Sequence, residues 1–409
     1  MATTDPSTML AHELRERLVA ACSRLLSSVA PNVSVGIILS GGVDTAAILY
    51  ACEDARARHG RAMARVSHAI TVLASSTAPD REFAVRLAEE FKLKHCVVET
   101  TAKELVAQGP TLRNTVQILQ SFDPMNIRNS LVIERALQEA QRISREEDVI
   151  LWLTGDAADE LLGGYSFTWK AEEPQWTRNR NKMCSSMAFS ADRLSEAKSL
   201  IVQSPFRDKD FVDWVMVSCP REVCLGERNL IARLGDDPIR IFTGKVCLRD
   251  AFPESISSMR RKDPIEVGSG STLLSEPGFF DSILSTEKQT ALREVAKSLG
   301  IELSDSLEQM VYFEVFIEEF PNLKGLINSK SSNPAPGYCK GCRFYLFHDN
   351  FCRSEFSRLL FSQVFDGLTI TANRSLWSVS RCLIEVFPFY LYVQYRVYII
   401  QVTNLPATL

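Results

Sequence analysis

Two glycines set between a strand-like run and a helix-periodic run constrain this chain more than any other feature. Val33-Ser34-Val35-Gly36-Ile37-Ile38-Leu39 reads as a buried strand, and Ala46-Ala47-Ile48-Leu49-Tyr50-Ala51 as the apolar start of a helix. Ser40-Gly41-Gly42-Val43-Asp44-Thr45 lies between them, so a strand feeds a short turn that opens a helix. Such a turn is an anion site, because its backbone N–H groups point outward and the helix dipole favours negative charge. Gly41 and Gly42 let a ligand approach the backbone, which a Cβ would block. Asp44 would repel phosphate directly, which predicts that it holds a divalent cation. Ser40 and Thr45 place hydroxyls on both lips of the loop. The plainer reading is an ordinary strand–turn–helix with a capping Asp or Thr. A G-x-x-x-x-G-K-S/T phosphate loop is excluded because no lysine follows the glycines, and the G-x-G-x-x-G dinucleotide fingerprint is absent.

A second segment has the same design. Asp148-Val149-Ile150-Leu151-Trp152-Leu153 reads as another buried strand. It ends in Thr154-Gly155-Asp156-Ala157-Ala158-Asp159-Glu160-Leu161-Leu162-Gly163-Gly164-Tyr165. Three carboxylates in five residues at the C-terminal end of a strand are costly to place together unless a cation or a reaction uses them.

The first loop resembles the SGGxDS pyrophosphate loop of the ATP pyrophosphatases, with Thr45 keeping the hydroxyl of the last Ser. The second segment resembles SGEGADELFGGY of the asparagine synthetase family. Weaker likenesses extend over roughly residues 30 to 265: Asp80–Lys92 as a helix before the strand-like His95–Val98; Ser121–Arg128 as the YDPT-T-IR turn; Ser204–Asp208 as PFLD; and Gly244–Phe252 as KxxLRxAF, followed by the basic run Arg260-Arg261-Lys262. The resemblance implies an α/β fold, a parallel sheet with helices on both faces, of the adenine nucleotide alpha hydrolase type. It also implies ATP and Mg²⁺ as cofactors. Leu39, Ser40, Gly41, Gly42, Asp44, Thr45, Thr154, Gly155 and Asp159 are then expected to bind nucleotide, and Asp44 and Asp159 the magnesium. Lys245 is expected at the pyrophosphate or the tetrahedral intermediate, and Asp156 as a proton relay. The implied activity is adenylation of a carboxylate, aspartate by family analogy, with capture by ammonia or an amine. Two departures bear on rate and substrate: the family's glutamate is Asp156, one methylene shorter, and the glycine after it is Ala157. A tRNA-modifying ATP pyrophosphatase and a non-catalytic nucleotide-binding relative are the alternatives.

The chain has 409 residues, 45% of them hydrophobic, enough for two or three domains with a large core. A net charge of −4 gives no basic excess to suggest nucleic acid as a partner. Met1–Pro6 lacks a signal-peptide pattern, and eleven scattered cysteines read as reduced thiols, so a cytoplasmic enzyme is expected. Glutamine-dependent relatives resemble one another in a glutaminase domain with a cysteine just after the initiator methionine. Ala2 stands there, and about thirty residues precede the first strand. Free ammonia, another amine, or a glutaminase partner chain is therefore expected as the nitrogen source.

The expected organisation is an N-terminal helix over 1–30, with Met9, Leu14, Leu18, Ala21, Leu25 and Leu26 on one face, and a nucleotide domain over 31–265. A helical extension over 266–332 follows. Within 185–330 the apolar period is mainly helical, including Leu194, Ala197, Leu200 and Ile201, then Phe211, Trp214, Val215 and Ser218, then Leu307, Met310, Val311, Phe313 and Val315. Glu172–Lys182 reads as an exposed polar loop, and the small residues between Val267 and Ser275 as a flexible hinge. Residues 333–355 hold a Cys339-x-x-Cys342 knuckle and Cys352, half of a zinc ribbon, with His348 and Glu355 nearby. Bound Zn²⁺ and unligated thiols are the two readings of it. Residues 356–409 form an atypical hydrophobic tail, read as an extension arising from splicing or a gene-model error; its uncharged run Val386–Tyr395 is too short to span a bilayer.

Overall fold

Val35 and Ile37 are fully buried, and Gly36 between them has no side chain, so this segment is a strand covered on both faces. It is β1 (Ser34–Ile38) of a five-stranded parallel sheet in the computed structural model, which describes residues 6–321 apart from 61, 62, 108, 277, 300 and 302. With β2 (Arg65–Leu73), β3 (Lys94–Glu99), β4 (Val149–Leu153) and β5 (Ile201–Gln203), the order is β3-β2-β1-β4-β5. Ile37 sits beside Ala69 on one side and Leu153 on the other.

The alternation along the central strands shows which helix covers which face. Val35, Ile37, Leu151 and Leu153 join one core with Leu14, Leu18, Ile48 and Ala51, from the helices Pro6–Ser27 and Val43–His59. Trp152 turns the other way, and its indole N–H donates to Ser144 Oγ (2.9 Å) on the helix Pro124–Glu147. A Cβ at Gly36 would lie 2.3 Å from the Trp152 ring, so the indole fills the place of a side chain on β1. Strand order reverses at β1, which leaves a crevice beyond the carboxyl ends of β1 and β4. Both loops singled out in the sequence emerge there.

The N-terminal helix buries Leu14, Leu18, Ala21 and Leu26 completely. Met9 is 62% exposed instead of on that face. Five residues before Leu14, it is rotated by about 140° from it on a helix with 3.6 residues per turn. Arg15 pairs with Asp54 (2.7 Å) and Arg58 with Glu16 (2.6 Å), tying this helix to Val43–His59.

Two local expectations are corrected. Glu172–Lys182 is not an exposed loop: Gln175–Ser186 is a helix, with Trp176 and Arg180 buried. Arg180 donates to the carbonyls of Cys219 (2.5 Å) and Met216 (3.0 Å), the open end of the helix Lys209–Ser218, and stacks on Trp176. Its charge imitated a solvated face. Ile201 is not on a helical face with Leu194 but on the edge strand β5, 51% exposed. The small residues expected as a hinge pack closely up to Ser271, where the first compact unit ends and the second begins at Thr272. A Cβ at Gly268 would lie 2.4 Å from Asp80 Oδ1; Ser269 accepts from the Ala74 amide (2.7 Å); Gly270, at φ +81°, leaves no room beside Ser75. The mainly helical stretch also holds an antiparallel hairpin, β6 (Gly226–Leu230) with β7 (Ile239–Thr243).

Residues up to Ser271 together with Val315–Pro321 form one compact unit, and Thr272–Glu314 belong to a second. In the second, Lys288 pairs with Glu314 (2.6 Å) and Phe280 meets Tyr312 edge-on. Along the helix Leu307–Glu319, Met310, Val311, Phe313 and Val315 are buried. Among the described residues no helix is long and apolar enough to cross a membrane, and Cys22, Cys52, Cys96, Cys184, Cys219, Cys224 and Cys247 are free thiols. The expected zinc ligands Cys339, Cys342 and Cys352, with His348, and the tail lie outside the described residues.

Candidate functional site

The loop after β1 is shaped by its glycines. Gly41 takes φ +70°, and a Cβ there would lie 2.6 Å from the Ala84 backbone nitrogen. Gly42 caps the helix Val43–His59; its amide donates to Ser40 Oγ (3.3 Å), and its carbonyl accepts from Thr45 Oγ1 (3.3 Å). Leu39 continues the strand, donating its amide to the Ile70 carbonyl (2.8 Å), while its side chain lies in the core. Asp44 in the first helical turn points across to the β4 loop: a Cβ at Gly155 would come within 3.0 Å of Asp44 Cβ.

The loop after β4 holds Thr154, Gly155, Asp156 and Asp159 at the same crevice. Thr154 donates its hydroxyl to Asp156 Oδ2 (2.9 Å), and Ser204, from the end of β5, donates to the Asp156 carbonyl (2.7 Å). Ala157 adopts φ +76°, where glycine is the unstrained residue, and opens the short helix Ala158–Leu161 that carries Asp159.

Lys245 joins the two loops. It is 1% exposed, and its Nζ lies 2.6 Å from Asp44 Oδ2 and 2.6 Å from Asp159 Oδ1. Its backbone is left-handed (φ +59°), and its amide donates to the Leu162 carbonyl (3.0 Å). The neighbouring glycines exist because nothing larger fits. A Cβ at Gly164 would lie 1.7 Å from Asp159 Oδ1 and 2.5 Å from Lys245 Cε, and one at Gly244 would lie 1.9 Å from the Gly163 carbonyl oxygen. Lys262 Nζ adds a second cation, 2.8 Å from Asp159 Oδ2. Burial alone would push the Asp159 carboxyl up, but the two ammonium groups outweigh it and hold the acid well below the usual carboxylate range. Burial works against the Lys262 ammonium, and Asp159 and Asp44 raise it above its ordinary value.

The segment 255–263 straps the first loop from behind. Ser257 donates to the Gly41 carbonyl (2.8 Å) and Arg260 to the Ser40 carbonyl (2.8 Å) and to Asp80 (2.5 Å). The Arg260 guanidinium also lies over Phe83, 4.6 Å from the ring centroid. Arg249, whose pKa burial pulls down to about 10, donates to the Ser258 and Arg260 carbonyls (2.7 Å each). Asp80 is itself buried, which lifts its carboxyl to about 6 against the pull of Arg260. The sequence offered Arg260-Arg261-Lys262 only as a basic run and gave Asp80, Ser204 and Ser257 no site role. Nothing local distinguishes them, because each acts on a segment far away in the chain.

Asp44 Oδ1 is buried with no hydrogen-bond partner, and the Asp44 and Asp159 carboxylates converge on one cation. Among the described residues no group of three or more His, Cys, Asp and Glu could cage a metal. Two hard carboxylates with the remaining positions left to water and phosphate suit magnesium.

Residues 13–188 match the family model described as asparagine synthase. The chain is 22% identical over 329 residues to a glutamine-hydrolyzing asparagine synthetase B of Escherichia coli, covering 76% of this chain and 54% of that protein. It is 31% identical over 166 residues to a glutamine-hydrolyzing asparagine synthetase 2 of Bacillus subtilis, covering 40% of this chain and 20% of that one. The chain thus spans about half the length of the first of these relatives, and less of the second. Among solved structures, the U34-tRNA thiolase NcsA of Methanococcus maripaludis with its 4Fe-4S cluster aligns over 86% of this chain and 88% of its own. The identity is 13% and the TM-score 0.31, too low to carry anything across.

Proposed function

We propose, for a chain whose residues 13–188 are a domain of the asparagine synthase family, that it is an ATP pyrophosphatase-type ligase. It adenylates a carboxylate with release of pyrophosphate and passes the acyl group to ammonia or an amine, with aspartate the first acid to test. The observation that carries the reading is the convergence of Asp44, Asp159 and Lys245 where the two glycine-bearing loops meet, 2.6 Å apart at the lysine.

Ser40, Gly41, Gly42 and Thr45 cradle the pyrophosphate end of ATP, with backbone amides and hydroxyls at the start of a helix. Leu39, Thr154 and Gly155 border the nucleotide from the ends of β1 and β4. Asp44 and Asp159 hold magnesium, which supplies Lewis-acid charge neutralisation to phosphate oxygens when bound. The Lys245 ammonium, already desolvated and aimed by its fixed backbone, meets the negative charge that grows on the leaving pyrophosphate. Asp156, steadied by Thr154 and Ser204, takes the proton released when the amine attacks the acyl adenylate and AMP departs. Ammonia arrives free or from a glutaminase partner chain, and the enzyme works in the cytoplasm. Acid-dependent exchange of pyrophosphate into ATP tests the adenylation half, and asparagine formed on adding ammonium tests the second.

A further inference from the structure

Lys245 occupies the position between the two carboxylates that a bare cation would need. Its Nζ touches Asp44 and Asp159 at 2.6 Å each, and Lys262 holds the other oxygen of Asp159 at 2.8 Å. Two carboxylates thus face two ammonium groups, and the cluster is formally neutral without a metal. The base of the lysine is fixed, so only the end of its side chain can turn from one partner to another. Gly164 leaves no spare volume beside Cε, Gly244 is pressed on the Gly163 carbonyl, and the Lys245 amide is fixed to Leu162.

Given the proposed roles of Asp44 and Asp159, we propose that Lys245, helped by Lys262, makes this carboxylate pair selective for a metal–nucleotide complex over the free divalent ion. A free ion entering alone meets two ammonium groups within a few ångströms in a poorly solvated site, where like charges repel strongly. A metal–triphosphate brings its own anion. Phosphate oxygens give the ammonium a new partner, so the lysine leaves the carboxylates without becoming an unpaired buried charge. Metal and nucleotide therefore each raise the affinity for the other by the same factor. Lys245 is in this sense a specificity-determining residue for the form in which the cation enters.

The test is a titration of the full chain with Mn²⁺ alone, followed by electron paramagnetic resonance of the free ion, on wild type, Lys245→Met and Lys262→Met. Both variants remove a competing ammonium and keep an unbranched stem. The expected result is that Lys245→Met binds Mn²⁺ without nucleotide about 10-fold or more tightly than wild type, Lys262→Met by a smaller factor, and wild type gains the same affinity only when ATP is added. Equal or weaker binding of Mn²⁺ alone by the variants overturns the proposal. Lys262→Met, whose side chain is 25% exposed, decides the matter if the buried substitution does not fold. Cation binding is read without turnover, so loss of pyrophosphate exchange in a wild type that shows this selectivity counts against adenylation alone.

Discussion

A methyl group at position 164 would place its carbon 1.7 Å from Asp159 Oδ1, closer than any real contact, so the aspartate or the turn must move. Gly164→Ala is expected to slow carboxylate-dependent pyrophosphate exchange about 100-fold, the scale of rate loss that a 1 Å misplacement produces. Exchange kinetics check it, and a near-normal rate would contradict the site geometry. Ala157 makes the opposite case. At φ +76° it carries strain that glycine would not, offset in part by the extra freedom glycine gives the unfolded chain. Ala157→Gly is expected to stabilise the fold by about 0.5–1 kcal/mol in urea unfolding, and a loss of stability would contradict the left-handed assignment. Asp44, Asp159 and Lys245 were legible in the sequence because each stands in a short local pattern. Lys262 and Arg260 were not, since their partners Asp159 and Asp80 lie 103 and 180 residues away.

Among the elements, the strap 255–263 and the helix Asp80–Glu90 hold the first loop through the Arg260–Asp80 pair. Burial raises the Asp80 carboxyl to about 6, so between about pH 4 and 6 the folded protein binds a proton that the unfolded chain has released. That contribution to stability is full below pH 4 and is lost as pH rises through 6. Asp159, held low by its lysines, acts with the opposite sign: its contribution is present above the usual carboxylate range and fades as pH falls through it. Wild type minus Asp80→Asn, followed by urea unfolding from pH 4 to 7, is expected to show a decline of about 2 kcal/mol across that window. A flat difference would contradict the buried pair. The strands β1 and β4 were legible because burial on both faces leaves continuous apolar runs. The hairpin β6–β7 was not, because much of it is exposed and Gly-Glu-Arg-Asn-Leu carries no alternation. The helix Gln175–Ser186 was hidden by Arg180, a buried cation that reads as a surface residue.

For the whole molecule, the reversal of strand order at β1 places both carboxylate-bearing loops at one crevice, which the spacing of two strand-plus-loop segments already implied. What the sequence could not supply is the strap that closes the loop from behind and the packed seam near Gly270, since both depend on chain returning over long separations. The decisive measurement is the exchange of labelled pyrophosphate into ATP by the full chain with Mg²⁺, with and without aspartate and then a panel of other carboxylates. Exchange that appears only with a carboxylate and is lost in Asp159→Asn is the expected result. Tight Mg-ATP binding with no exchange for any acid would contradict adenylation and leave a nucleotide-binding relative that does no chemistry.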